Sequence, residues 1–457
     1  MSYARLLEQK RHVYDDAGFE PLFMPSKLFD FQQSLVRWAV RKGRAAIFAD
    51  CGLGKSAMQM TFAANVVRKT NGRVLVLTPL AVASQMVEEA AKFGIDAHRS
   101  NDGTCPAGAK ILVTNYQRLH YFNAADFVGC VADESSILKN CDGVTRALVT
   151  DFMRKMSYRL LCTATPSPND LIELGTSSEA LGYMGFNDML GTFFKKDADR
   201  KTNSRKDEFR SGVWRFRGHA EDHFFTWVCS WARAARKPSD IGFSDDAFAL
   251  PPLITRETVV RNDSPLPGML FTMPAVGLSE QRQERRRTLE QRCESASRLI
   301  NAHNESAVAW CYLNDESAAL KAAIPGAVEV SGSDSMESKE ESFMAFAHGQ
   351  IRVLVTKPEI AGFGLNWQHC AHQTFFPSHS FEQFHQAIRR SWRFGQKNPV
   401  TVDIIASEGE RGVLANLMRK ADNAEILFAN LVSLMGEANS VTKSTQHTTT
   451  TAIPSWL

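Results

Sequence analysis

No two of the nine cysteines stand within four residues of one another. The chain therefore has neither a Cys-x-x-Cys zinc ribbon or redox pair nor the dense framework of a small secreted domain. Reduced thiols in a cytosol are the expectation. Long apolar runs are missing as well: nothing approaches the roughly 18 uncharged residues that cross a bilayer, and Met1 to Lys10 carries charges where a secretory leader needs an apolar core. A membrane-spanning or exported chain is not expected. Charge of one sign is scarce, since Lys+Arg 53 against Asp+Glu 50 leaves a net +3. That excludes a globally basic nucleic-acid binder but leaves room for a local basic groove. The composition, 44% hydrophobic and 23% charged over 457 residues, is that of an ordinary globular chain, long enough for two or three domains at roughly 100–200 residues each.

What is present is a rhythm of short apolar, β-branched runs separated by helix-length segments. One series comprises residues 45–49, 74–77, 111–113, 128–132 and 159–162; a second comprises 307–311, 328–330, 351–355, 373–376 and 401–405. Runs apolar on both faces predict parallel strands covered by helices on both sides. The fold class is therefore α/β, with an N-terminal domain at 1–175, a mainly helical insert and linker at 176–303, a C-terminal domain at 304–436 and a flexible tail at 437–457. Residues 279–303 read as one long charged helix starting at Ser279.

The most specific local signal in the first series is Ala49-Asp50-Cys51-Gly52-Leu53-Gly54-Lys55-Ser56, directly after an apolar run and before a helical pattern. Phosphate binding at such a junction needs glycines, so that backbone N–H groups approach the oxygens, a lysine for the β/γ charge and a hydroxyl for Mg²⁺. Gly52, Gly54, Lys55 and Ser56 fit these roles. A later strand ends in Asp133-Glu134-Ser135-Ser136, an acid pair at the strand C-terminus, where open α/β sheets place their ligands. Asp133 suits the Mg²⁺ shell, and Glu134 suits orientation or deprotonation of an attacking water.

These residues resemble the superfamily-2 helicases, in particular the Swi/Snf-like translocases of the compact phage and prophage kind, and the likeness recurs in order from residue 28 to 405. Leu28-Phe29-Asp30-Phe31-Gln32 is similar to the family's adenine-reading segment, with Gln32 as the reader. Asp133-Glu134 followed by Lys139-Asn140 resembles its Asp-Glu box. Thr163-Ala164-Thr165-Pro166, with Asn169-Asp170-Leu171 behind it, resembles the element that couples ATP state to nucleic-acid grip. In the second half Gly362-Phe363-Gly364-Leu365-Asn366 resembles the family's G-x-G-L-N segment. Gln386 to Gln396, containing Arg390 and Arg393, is similar to its glutamine-arginine segment. Arg389 stands where the family has Gly or Asp.

The resemblance implies two RecA-like (P-loop) domains with Mg-ATP in the cleft between them. Gly364 and Gln386 join the nucleotide site, and Arg390 and Arg393 reach the γ-phosphate from the second domain. Thr163, Thr165 and Asn366 couple hydrolysis to a nucleic-acid track. It also implies an ATP hydrolase acting as a monomer in the host bacterial cytoplasm and moving on DNA, duplex by preference. RNA remains open as the polymer, a nucleotide-gated remodelling module remains open as the activity, and a phage replication or modification protein is a candidate partner.

Residues 195–217 hold nine Lys/Arg against four Asp/Glu, a local excess of five. Arg210, Arg215 and Arg217 are the candidates for phosphate contact. The aromatic residues that follow, Phe224, Phe225, Trp227 and Trp231, have helical spacing and are expected in a core. His369, Cys370, His372, His379 and His385 match no familiar metal spacing, so zinc is not expected there.

Overall fold

A computed structural model of the chain describes residues 16–79, 82–168, 170–196, 214–261, 278–361 and 366–444. In chain order the strands are Arg44–Ala49 (β1), Arg73–Thr78 (β2), His98–Arg99 (β3), Ile111–Asn115 (β4), Phe127–Asp133 (β5), Tyr158–Cys162 (β6), Phe194–Lys196 (β7), Trp214–Phe216 (β8) and Ala232–Ala235 (β9). They continue with Leu253–Val260 (β10), Ala307–Trp310 (β11), Ala327–Val330 (β12), Val353–Thr356 (β13), His372–Phe375 (β14) and Val400–Ser407 (β15). The described strands form a parallel sheet of order β3-β4-β2-β5-β6-β1-β9, a parallel sheet of order β10-β15-β14-β11-β13-β12, and a short antiparallel ribbon β7-β8. The protein is thus α/β, and each of the ten expected apolar runs contributes a strand.

Period-two alternation sends neighbouring residues of one strand into opposite cores. In the first sheet Ala46, Phe48, Leu75, Leu77 and Cys130 face one layer of helices, while Ala45, Ile47, Val74, Val76 and Val131 face the other. The second sheet repeats the device, with Val308, Trp310, Leu354 and Val402 on one side and Ala307, Ala309, Val355 and Ile405 on the other. Because both faces are covered, most central strands are apolar; β14, His-Gln-Thr-Phe, is buried with its polar groups hydrogen-bonded, as in His372 to Asp403 and Gln373 to Trp310.

The segment read as a mainly helical insert is built differently. Within 176–303, β9 pairs with β1 at the edge of the first sheet, and β10 pairs with β15 at the edge of the second. Ala-Arg-Ala-Ala in β9 carries no β-branched residue, and β10 is largely exposed, so neither has the apolar signature of a central strand. The aromatic residues do go inside: Phe224, Phe225, Trp227, Val228 and Trp231 are all buried in the first sheet's core. The expected long helix is two, Leu278–Arg287 and Leu289–Asn301, which meet at Thr288. Residues 437–444, expected in the tail, continue the helix Arg411–Ser444; 445–457 lie outside the described residues.

That last helix joins the two halves. Leu414 and Leu417 belong to the core of the second sheet, whereas Phe428 and Leu431 belong to the core of the first. Trp231 lies in the same core, edge-on to Phe48 with ring centroids 6.1 Å apart and 5.5 Å from Trp227. Trp231→Ala should lower stability by about 3–5 kcal/mol, because it leaves a cavity under β1. Denaturant unfolding checks this; a loss below about 1 kcal/mol would mean that residues 220–235 are not part of the first domain's core.

Candidate functional site

The order β5-β6-β1 sets three loops side by side at the C-terminal ends of the strands: Asp50 to Gly54, Glu134 to Ser136, and Thr163 to Thr165. In the first loop Gly52 and Gly54 have φ of 92° and 75°, in the left-handed region that side chains disfavour. Space forbids a side chain too. A Cβ on Gly52 would meet the Phe394 backbone nitrogen at 2.8 Å, and one on Gly54 would meet Gln32 Nε2 at 2.3 Å. The helix Lys55–Thr70 starts directly behind, so its free N–H groups and dipole point at the loop. Lys55 Nζ donates to the Ala49 carbonyl at 3.0 Å. Burial alone pulls the Lys55 pKa down, but Cys51, Glu134, Asp133 and Asp50 outweigh it and hold the ammonium charged. Ser56 follows, half-buried, in the first turn.

Both acids of the pair are buried. Asp133 accepts a hydrogen bond from Gln59 Nε2 at 2.7 Å, and its backbone carbonyl accepts one from the Tyr116 hydroxyl at 2.5 Å. Burial, followed by repulsion from Glu134, pushes the Asp133 carboxyl up from its ordinary range. Glu134 has φ of 48°, a left-handed conformation that costs a non-glycine residue about 1–3 kcal/mol and is found preferentially at functional sites. Its Oε2 accepts from Thr163 Oγ1 at 3.3 Å, and that same hydroxyl oxygen accepts from the Thr165 N–H at 3.1 Å. Hydrogen bonds thus link Glu134 to the Thr163–Thr165 loop.

The second sheet supplies the opposite wall. Ser380 caps the helix Phe381–Ile388 by accepting from the Gln383 N–H, and the chain then turns through Arg389 to Gln396 against the glycine loop. Arg389 forms an ion pair with Asp50, and Arg393 Cβ lies 3.5 Å from the position a Cβ on Gly52 would take. Arg390 is 2% exposed and donates from Nε to the Gln386 carbonyl. Burial, then repulsion from Arg390, lowers the Arg393 pKa to about 10. Gln386 is fully buried, and neither of its amide atoms has a hydrogen-bond partner among the described residues. Three arginines thus gather on this wall, Arg389 among them paired with Asp50.

Gln32 is buried with both ends of its amide engaged: Oε1 accepts from the Phe29 N–H at 3.0 Å, and Nε2 donates to the Leu53 carbonyl at 2.9 Å. It braces the glycine loop. Beside that loop a cavity of about 720 Å³ is lined by Gly52, Leu53, Lys237, Phe248 and Phe394, with the last two rings stacked at 4.8 Å. Asn366 lies elsewhere along the seam, lining a cavity of about 240 Å³ with Gln85, Glu88 and Glu89 of the first half. Gly364 and Arg210 lie outside the described residues, as does Asn169. Arg217 donates from Nε to the Phe194 carbonyl, and Arg215 is exposed on β8.

The histidines expected not to form a metal site are dispersed: His372 bonds His303 and Asp403, His379 bonds Asn416, and His385 Nε2 lies 3.8 Å from Asp50 Oδ1. One unanticipated trio, Asp50, Cys51 and His385, brings its ligand atoms within 4.8 Å of one another. Lys55 and Arg389 in the same pocket make it a poor place for a bare dication and a good one for an anion. For Mg²⁺ arriving with a nucleotide the residues fit better. Ser56 and Asp133 offer oxygen ligands, and the cradle at Gly52 and Gly54 leaves backbone open to phosphate.

Gln59 and Tyr116 were not singled out in the sequence, and Asp50 and His385 were noted there only as members of the glycine loop and of the histidine group, with no role at this site. Gln59 had a signal, since it stands four residues after Lys55 and so on the same helix face. His385 has a titration consequence. Burial depresses its pKa to about 4, so as pH falls through 6.5 the unfolded chain takes up a proton that the folded chain refuses. Stability from this residue is complete above pH 6.5 and is lost toward pH 4. His385→Asn should flatten that part of the curve of urea midpoint against pH; an unchanged slope would contradict the assignment.

Compared with known proteins, the chain matches no protein-family model and no curated protein. Among the described residues no helix is long and apolar enough to cross a membrane.

Proposed function

We propose that the chain is an ATP-driven nucleic-acid motor of the superfamily-2, Swi/Snf-like kind, with two RecA-like domains that hold one Mg-ATP between them. The observation that carries this reading is the meeting of Arg389, Arg390 and Arg393 from one sheet with Asp50, Gly52 and Lys55 from the other. Lys55 and the loop amides hold the polyphosphate, and Ser56 and Asp133 hold Mg²⁺, which screens the β/γ charge. Glu134 accepts the proton of the attacking water. Arg390 and Arg393 counter the charge that develops on the transferred phosphoryl group, so hydrolysis requires both halves to be in place.

Motion follows from the same geometry. Loss of phosphate removes the anion that draws the two walls together, and the Thr163 hydroxyl reports the Glu134 side to the neighbouring loop. Alternating closure of this kind moves two grips along a strand. DNA, preferably duplex, is the proposed track in the host cytoplasm.

The test compares ATP hydrolysis with duplex DNA, single-stranded DNA and RNA, beside a strand-displacement assay. Stimulation by duplex without displacement supports a translocase. Stimulation by RNA alone would move the assignment to an RNA-dependent ATPase, and equal rates with every polymer would remove the motor reading.

A further inference from the structure

Asp50 does more than sit in the glycine loop. Its carboxylate accepts the Cys51 backbone N–H at 2.7 Å through Oδ1 and pairs with the Arg389 guanidinium through Oδ2. Those are a loop amide and a cross-cleft arginine, the two kinds of donor that bind a phosphate oxygen. The pair is well shielded, with Asp50 6% and Arg389 8% exposed. Arg389 also lies over the Trp392 ring, with its guanidinium carbon 4.3 Å from the centroid. His385, with its Nε2 3.8 Å from the other carboxylate oxygen of Asp50, is neutral at physiological pH because burial depresses its pKa, so it brings no compensating charge.

A polyphosphate entering the loop adds several negative charges to a space that already contains this buried carboxylate. The two anions draw on one set of cations. We infer that Asp50 is an internal competitor of the nucleotide polyphosphate and that Arg389 is a third phosphate-binding arginine, which exchanges the Asp50 carboxylate for a phosphate oxygen when nucleotide binds. This deepens the proposed function and rests on it. It gives Arg389 a role distinct from that of Arg390 and Arg393: Arg389 sets nucleotide affinity, and the Asp50–Arg389 bridge holds the two walls together until the ligand takes over one end of it.

The experiment is a calorimetric titration of Mg-ADP, pyrophosphate and adenosine into the full chain and its Asp50→Asn, Arg389→Ala and doubly substituted forms, each checked for folding by thermal denaturation. Asp50→Asn keeps the shape of the side chain and removes its charge. It should tighten Mg-ADP and pyrophosphate by roughly tenfold or more and leave adenosine unchanged. Arg389→Ala should weaken both polyphosphates, and the gain from Asp50→Asn should be smaller in the Arg389→Ala background, because much of the carboxylate's effect passes through that guanidinium; an equal gain in both backgrounds would overturn the exchange. Asp50→Ser serves the same comparison if the amide variant does not fold. Unchanged or weaker polyphosphate binding in a folded Asp50 variant would reduce the pair to a structural strut and overturn the inference. Failure of the unsubstituted chain to bind Mg-ADP or pyrophosphate would instead overturn the proposed function, and the inference with it.

Discussion

Arg393→Ala is expected to lower ATP turnover by roughly 10³–10⁵-fold, the effect of removing an arginine that meets the transferred phosphoryl group. Arg393 comes from the second sheet, and its Cβ reaches the glycine loop of the first, 3.5 Å from where a Gly52 side chain would begin. Its charge is held in a buried site beside Arg390, at a cost visible in the lowered pKa. In the proposed mechanism the charge it counters grows during the reaction, so nucleotide affinity should change far less than turnover. Arg393→Lys should recover only part of the rate, because an ammonium lacks the planar fork. Arg390→Ala is a less informative variant: Arg390 is 2% exposed and bonded to the Gln386 carbonyl, so its removal also disturbs the helix end. Single-turnover hydrolysis with the Kd measured separately checks the prediction. A folded Arg393→Ala chain that turns over within tenfold of the unsubstituted protein would confine the chemistry to the first half.

Glu134→Gln should lower turnover by roughly 10²–10⁴-fold while nucleotide still binds. The amide has nearly the same shape, and its oxygen can still accept from Thr163 Oγ1, so the coupling loop should stay in place. What is lost is the ability to take a proton from water. Rapid-quench measurement beside a binding titration separates these effects. Undiminished hydrolysis by the glutamine form would remove Glu134 from the chemistry and leave its left-handed backbone without a functional explanation.

Much of the architecture was legible because most central strands buried on both faces are apolar, as in Ile47-Phe48-Ala49 and Val353-Leu354-Val355. The edges were not legible. β9 and β10 each pair along one side only, and an edge strand such as Ala232–Ala235 tolerates small and charged residues that read as helix or loop. The glycine loop and the acid pair were visible since their chemistry is local. The Asp50–Arg389 bridge was not, because its members stand 339 positions apart and nothing in either neighbourhood announces the other. Gln32 illustrates a different limit. Its place near the glycine loop follows from its neighbours, but its hydrogen bond to the Leu53 carbonyl depends on the packing of Phe29 and the loop itself.

Calorimetric titration of Mg-ATP into the full chain and into Lys55→Ala tests the central claim most directly. One nucleotide should bind per unsubstituted chain, and binding should be lost or greatly weakened in a Lys55→Ala chain that unfolds with a normal thermal transition. Equal binding by both folded proteins, or no binding by either, would contradict a nucleotide site built on Lys55 between the two sheets.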